Sequence, residues 1–470
     1  QDIPPFMDPE SVVMQEDCLV ANVYVPITSK KKLPVLVYIH GGAFEIGFGD
    51  MMTPKNFAKD HKVIVVTFNY RLGVHGFLCL GTDAVPGNAG LKDQVALLTW
   101  VKRNIDSYGG NPEEVTIAGY SAGSVSVDLL MLTKHAKRLF NKVILEGGAA
   151  VGSIAIQSNP LENAKTYAQK LNFTDVDDVY ALEEFYKNTP LPNLLVNTFF
   201  ERKDASVLFG PCIERKSDLA IISDSPINVI KNGKYKKIPI LLGIGNREGL
   251  LQVPMFNDWK DLMNEKFSDF LPTDLHFGSE DEKEDIAKVI KEFYFADRPV
   301  SEDTILAYID YFSDVLFTYP TLRAVKEHAE KGHEEIYLYE YSFVDNYTAL
   351  IPHTEIRGTG HCAQTVAILD GAGFTSGVSE NDLSQEFRKI KTTMREIWNN
   401  FLVHSKPVPE GSSLPSWPSA GADRSPYMSL GQTVELQGTM LEERARFWDN
   451  IYEKYYREPI PPPKPPHTEL

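Results

Sequence analysis

The segment Gly119-Tyr120-Ser121-Ala122-Gly123 fits the pattern Gly-x-Ser-x-Gly. A serine on so tight a strand-to-helix turn is held in a strained conformation with its hydroxyl projecting. That hydroxyl is a poor nucleophile until a base removes its proton, and the base needs an orienting acid. In folds that carry such a turn the acid and then a histidine follow the serine in chain order. Gly245-Asn246-Arg247-Glu248-Gly249 offers Glu248 as the acid. His361, in Gly358-Thr359-Gly360-His361, has small neighbours that leave imidazole accessible; His353, beside Pro352, is the alternative. Acyl transfer also needs donors for an oxyanion, each worth about 3 kcal/mol of transition-state stabilisation. The N–H groups of Ala122, Gly41 and Gly42 are the candidates. Each residue has a bland reading alone: Glu248 as a surface carboxylate, the Gly41-Gly42 pair as a simple turn. Their order along the chain outweighs those readings.

The elements around these residues support that chemistry. Val115–Ala118 reads as a short buried strand leading into Ser121, and a helix pattern follows to about Thr133. Val35–Ile39 and Val63–Phe68 are too continuously apolar for half-exposed strands, and fit parallel strands covered on both faces. The first of them ends in His40-Gly41-Gly42-Ala43-Phe44. Leu91, Val95, Leu98, Val101 and Ile105 recur at helical spacing. Val143–Leu145, Ile238–Gly243 and Ile336–Tyr341 complete the strand set. Alternating buried strands and amphipathic helices predict βαβ crossovers and a mostly parallel sheet. Residues 255–330 read as a helical insertion over the carboxyl edge of that sheet. The reading is of one domain over 1–457, with helices near 384–403 and 441–457, and a Pro-rich tail over 458–470.

A formal charge of −17 on 470 residues argues against nucleic acid or an anionic membrane as partner. No apolar run is long enough to span a bilayer. Four scattered cysteines, Cys18, Cys79, Cys212 and Cys362, predict free, mostly buried thiols, and the histidines lack metal spacing. No metal or organic cofactor is called for. The terminal His467-Thr468-Glu469-Leu470 is a variant of an endoplasmic reticulum retrieval signal. Asn172-Phe173-Thr174 and Asn346-Tyr347-Thr348 are glycosylation acceptor patterns, so Asn172 and Asn346 agree with it on the secretory pathway.

Several further motifs accompany the serine: Glu16-Asp17-Cys18-Leu19, His40-Gly41-Gly42, Asn69-Tyr70-Arg71-Leu72-Gly73, Gly87-Asn88-Ala89-Gly90-Leu91-Lys92-Asp93-Gln94 and Gly109-Gly110-Asn111-Pro112. With them the chain resembles the carboxylesterase/cholinesterase family of α/β-hydrolases over nearly its whole length, with an insect, lepidopteran-like flavour at Tyr120. The resemblance implies an α/β-hydrolase fold with Ser121 as nucleophile, Glu248 as acid and His361 as base. It implies an oxyanion hole of Gly41, Gly42 and Ala122, and places Phe44 and Tyr120 by the substrate pocket. The expected partner is a small to medium apolar ester, of xenobiotic, pheromone or hormone type. Two rival readings are a slow, sequestering esterase and a non-catalytic binding protein on the same fold.

The chain departs from the family in three places. Family members carry further residues before Glu16, including a cysteine that pairs with the counterpart of Cys18, so Cys18 is expected to be unpaired here. Glu146-Gly147-Gly148 stands where the family commonly has Gln-Ser-Gly, which removes a serine expected to support the acid. Juvenile-hormone esterases place glutamine before their serine, so Tyr120 sets this chain apart from them.

Overall fold

The computed structural model describes residues 14–370 and 383–465. The terminal His467–Leu470 signal therefore lies outside the described residues, as does the start of the chain.

Nine strands form a single sheet in the order β1-β3-β2-β4-β5-β6-β7-β8-β9. They are β1 (Ala21–Tyr24), β2 (Leu33–Ile39), β3 (Ile64–Phe68), β4 (Gly110–Tyr120), β5 (Lys142–Glu146), β6 (Ile240–Gly245), β7 (Ile336–Tyr341), β8 (Tyr427–Leu430) and β9 (Val434–Gln437). Pairing is parallel from β3 through β8 and antiparallel only at the two edges, β1 with β3 and β8 with β9. The central strands β3, β5 and β6 are buried at every position. This is the consequence of helices covering both faces, and it is why their sequences run apolar without alternation. Two apolar cores result, one on each side: Val35, Val37, Ile117 and Val143 face one, Leu36, Tyr38, Ala118 and Ile144 the other.

The helix Ala89–Asn104 buries Leu91, Leu98 and Val101. Its polar residues brace the site from below. Arg71 Nε and Nη2 donate to Asp93 at 2.8 and 2.7 Å. Gln94 Nε2 donates to Ser126 Oγ on the helix that follows the nucleophile. Asn88 donates to Cys212 O at 2.8 Å and accepts the Cys212 N–H at 2.9 Å, while Lys92 pairs with Glu214 at 2.6 Å.

This clamp corrects the expectation of four free thiols. Cys79 and Cys212 form a disulfide across 133 residues of sequence. A spacing of that size carries no signal; it is the amide of Asn88 that docks the Cys212 segment where Cys79 can reach it. Cys18 and Cys362 are free. The strands β8 and β9 were not foreseen, being four residues each, the first half-buried and the second mostly exposed.

Replacing both bridged cysteines (Cys79→Ser with Cys212→Ser) should lower unfolding free energy by about 2–4 kcal/mol. Urea midpoints at constant slope measure this, and an unchanged midpoint would show that the Asn88 clamp alone fixes the loop.

Candidate active site

The turn between β4 and the helix Ala122–Leu132 is built by close backbone approach. A Cβ on Gly119 would lie 2.4 Å from Gly123 C, and one on Gly123 would lie 2.1 Å from Ile39 O. Only glycine fits at either position, and the chain between them is forced through Ser121 at φ 54°, ψ −126°. That conformation is costly for a residue with a side chain. It is held by the Ser121 N–H, which donates to Glu146 O at the end of β5 (2.8 Å). Ser121 is 8% exposed.

Glu248 follows β6 by three residues and is fully buried. One carboxylate oxygen accepts the Gly245 N–H at 2.7 Å, and the other is paired with His361 Nδ1. His361 Nε2, the opposite nitrogen, is buried and has no hydrogen-bond partner among the described residues. Phe317 stacks on the imidazole at 3.9 Å between ring centroids and 18° between planes. A ring face so placed favours the imidazole as it becomes cationic. Gly147 and Gly148 link these parts. A Cβ on Gly147 would stand 3.1 Å from Glu248 Oε1 and 3.2 Å from His361 Cε1, and one on Gly148 would stand 2.6 Å from Ser121 O. Ser121, Glu248 and His361 therefore surround one two-glycine turn. His353 does not join them: its side chain is 39% exposed and faces Glu302 at 3.7 Å.

The loop after β2 packs against the same turn, a Cβ on Gly41 lying 3.0 Å from Ser121 Cβ. No hydrogen bond among the described residues engages the N–H groups of Gly42, Ala43 or Ala122. The Gly41 N–H is turned towards the Tyr120 hydroxyl. Ala43 was not foreseen as a donor; its φ of 55° is a strained value that only the folded loop reveals. His40 anchors the loop: its carbonyl accepts the Tyr70 hydroxyl (2.8 Å), and its ring stacks on Tyr70 at 4.4 Å. Glu45, also missed in the sequence, accepts the N–H groups of Thr198 (2.7 Å) and Phe199 (3.1 Å), tying the loop to that segment.

Phe44 and Tyr120 lie where expected in the chain but are spent on packing, Phe44 against Phe77 at 5.0 Å and Tyr120 against Tyr38 at 6.3 Å. The aromatic that meets the imidazole is Phe317, on a π-helical turn over Asp314–Thr318. Nothing in its sequence neighbourhood separates it from the core phenylalanines. Asn172 and Asn346 are both exposed. Among the described residues there is no group of His, Cys, Asp and Glu that could hold a metal ion, and no helix long and apolar enough to cross a membrane.

A model of the carboxylesterase family matches residues 1–448. Esterase FE4 of Myzus persicae is 32% identical over 428 residues, covering 87% of this chain and 74% of the relative. Liver carboxylesterase 1 of Oryctolagus cuniculus is 29% identical over 97% of this chain and 80% of its own length. Among solved structures, juvenile hormone esterase from Manduca sexta with OTFP covalently attached superposes with a TM-score of 0.82 at 30% identity. That match covers 94% of this chain and 85% of the other.

Burial pushes the His40 imidazole down to about 4, and does the same to His333, which is hydrogen-bonded to Ile238 O. Both are neutral in the fold and protonated more readily when unfolded. Their contribution to stability is thus complete above about pH 6.5 and is lost as pH falls through about 4. Thermal midpoints should decline between those values, and His333→Gln should flatten part of the decline; an identical slope in the variant would contradict the assignment.

Proposed function

Since the chain belongs to the carboxylesterase family, we propose that its ester hydrolysis runs through an acyl-enzyme on Ser121, with His361 as base and Glu248 as orienting acid. The observation that carries this reading is the buried Glu248–His361 pair, whose free imidazole nitrogen belongs to the cluster around the Ser121 turn. Ser121 Oγ adds to the ester carbonyl carbon as His361 Nε2 takes its proton. The carbonyl oxygen becomes an oxyanion, for which the unengaged N–H groups of Gly42, Ala43 and Ala122 are the donors, with Gly41 supporting the loop. Collapse breaks the acyl–oxygen bond, and His361 returns the proton to the leaving alcohol. Water repeats the sequence on the acyl-enzyme and releases the acid. Glu248 holds the imidazole in the required tautomer and stabilises its cation.

The substrate class that suits this site is a small to medium apolar ester. Phe317 supports this at the imidazole. A secretory location is supported by the disulfide, which persists in oxidising compartments, and by the exposed Asn172 and Asn346 acceptors.

One observation favours a second reading, that of a sequestering esterase. Gly147 places no hydroxyl beside Glu248 Oε1, so among the described residues the Gly245 N–H is left to hold that oxygen through deacylation. The covalently attached OTFP reported for the juvenile hormone esterase structure makes covalent trapping the natural test.

Ser121→Ala should reduce kcat on p-nitrophenyl esters at least about 10³-fold with an unchanged circular dichroism spectrum. Retained turnover would overturn the assignment. On the unaltered protein, a stoichiometric burst followed by a much slower steady rate marks the sequestering reading, and a linear trace marks efficient hydrolysis.

A further inference from the structure

Glu146 ends β5, and its backbone carbonyl is the acceptor that holds the Ser121 N–H. Its side chain is fully buried and meets Tyr339, in the core that also holds Ile144. Both carboxyl oxygens lie 2.6 Å from one hydroxyl, that of Tyr339 on β7. A phenol has a single proton to donate. An ionised carboxylate would be left with that one hydrogen bond in a dry site, too few to offset its burial, so the acid form is favoured although Tyr339 itself pulls towards the anion.

The remaining surroundings are neutral or anionic. The Gln364 amide and the Trp398 indole N–H face the carboxyl and pull it towards the ionised form, but neither reaches full hydrogen-bond geometry. Tyr38 on β2, Cys362 beside His361, and Glu248 are the other titratable groups that act on it or feel it. Tyr120 is its register partner on β4. On the helix that carries Trp398, Lys391 and Arg395 are paired with Asp370. Burial, with Glu248 adding to it, pushes the carboxyl up to about 8, against the pull of Tyr339, Gln364 and Trp398.

Gln364 sits in the helix Ala363–Leu369, which starts two residues after His361. We propose that Glu146 is a positioning residue that must be protonated for turnover: once ionised, it draws the unpartnered Gln364 amide towards itself and carries the His361 segment out of register with Glu248. The proton leaves to solvent, and no other group changes state. This rests on the triad reading above, to which it adds an upper pH limit set from outside the triad.

The test is the pH profile of kcat/KM for p-nitrophenyl butyrate from pH 6 to 10, corrected for spontaneous hydrolysis. The unaltered chain should show an alkaline limb near pH 8, with activity at pH 9 about tenfold below the plateau. In Glu146→Gln, which keeps the shape of the neutral acid but has no proton to lose, that limb should vanish. Tyr339→Phe removes the donor that favours the anion, so its limb should move to higher pH. Should Glu146→Gln fail to fold, the direction of the Tyr339→Phe shift decides. Variant profiles that superimpose on the parent, or a parent profile flat to pH 10, would overturn the proposal. Failure of the triad reading shows separately, as turnover surviving in Ser121→Ala.

Discussion

A carboxylate sealed from water is tolerable only where donors meet its oxygens. At Glu248 those donors are the Gly245 N–H and the imidazole of His361. Everything else near the site serves to bring these groups together. β6 delivers Glu248 three residues past its end, and the chain beyond β7 returns His361 to the same edge. The β4–β5 pairing holds Ser121 through the Glu146 carbonyl. The sheet is parallel through this region, so the ends of four strands converge on one edge. There loops can exchange charge without breaking the core.

Much of this was legible in the chain itself. The buried strands could be read because continuous apolar runs bounded by Gly and Pro have few other meanings, and Leu91–Ile105 could be read because its period is helical. The candidate acid and histidine followed from order and from the strands that precede them. Three things were not legible. The Cys79–Cys212 bridge depends on Asn88 docking a segment over 120 residues away. Phe317 reaches His361 through a π-turn, a backbone irregularity with no composition signature. Phe44 and Tyr120 flank the reactive residues in sequence, yet their side chains turn into the core, because alternation along a strand and a strained loop send neighbours to opposite sides.

The motif Gly87–Gln94 illustrates a different limit. It served to identify the family, but its work is structural. Asn88 and Lys92 fasten the Glu214 segment, Asp93 fastens Arg71, and Gln94 fastens Ser126 on the helix after the nucleophile. Residues that mark a family need not touch its substrate. The pair Glu146-Gly147 is the converse case: no identifying motif includes it, yet it lies beside the acid, a Cβ on Gly147 standing only 3.1 Å from Glu248 Oε1.

The account depends most on His361, and not His353, being the base for Ser121. The measurement that tests it most directly is the rate of covalent labelling by a fluorophosphonate probe, mapped to Ser121, in His361→Asn beside His353→Asn. The account predicts that labelling slows by about 10³-fold or more in His361→Asn and stays within about twofold of the parent in His353→Asn. Equal rates in the two variants, or loss only in His353→Asn, would contradict it.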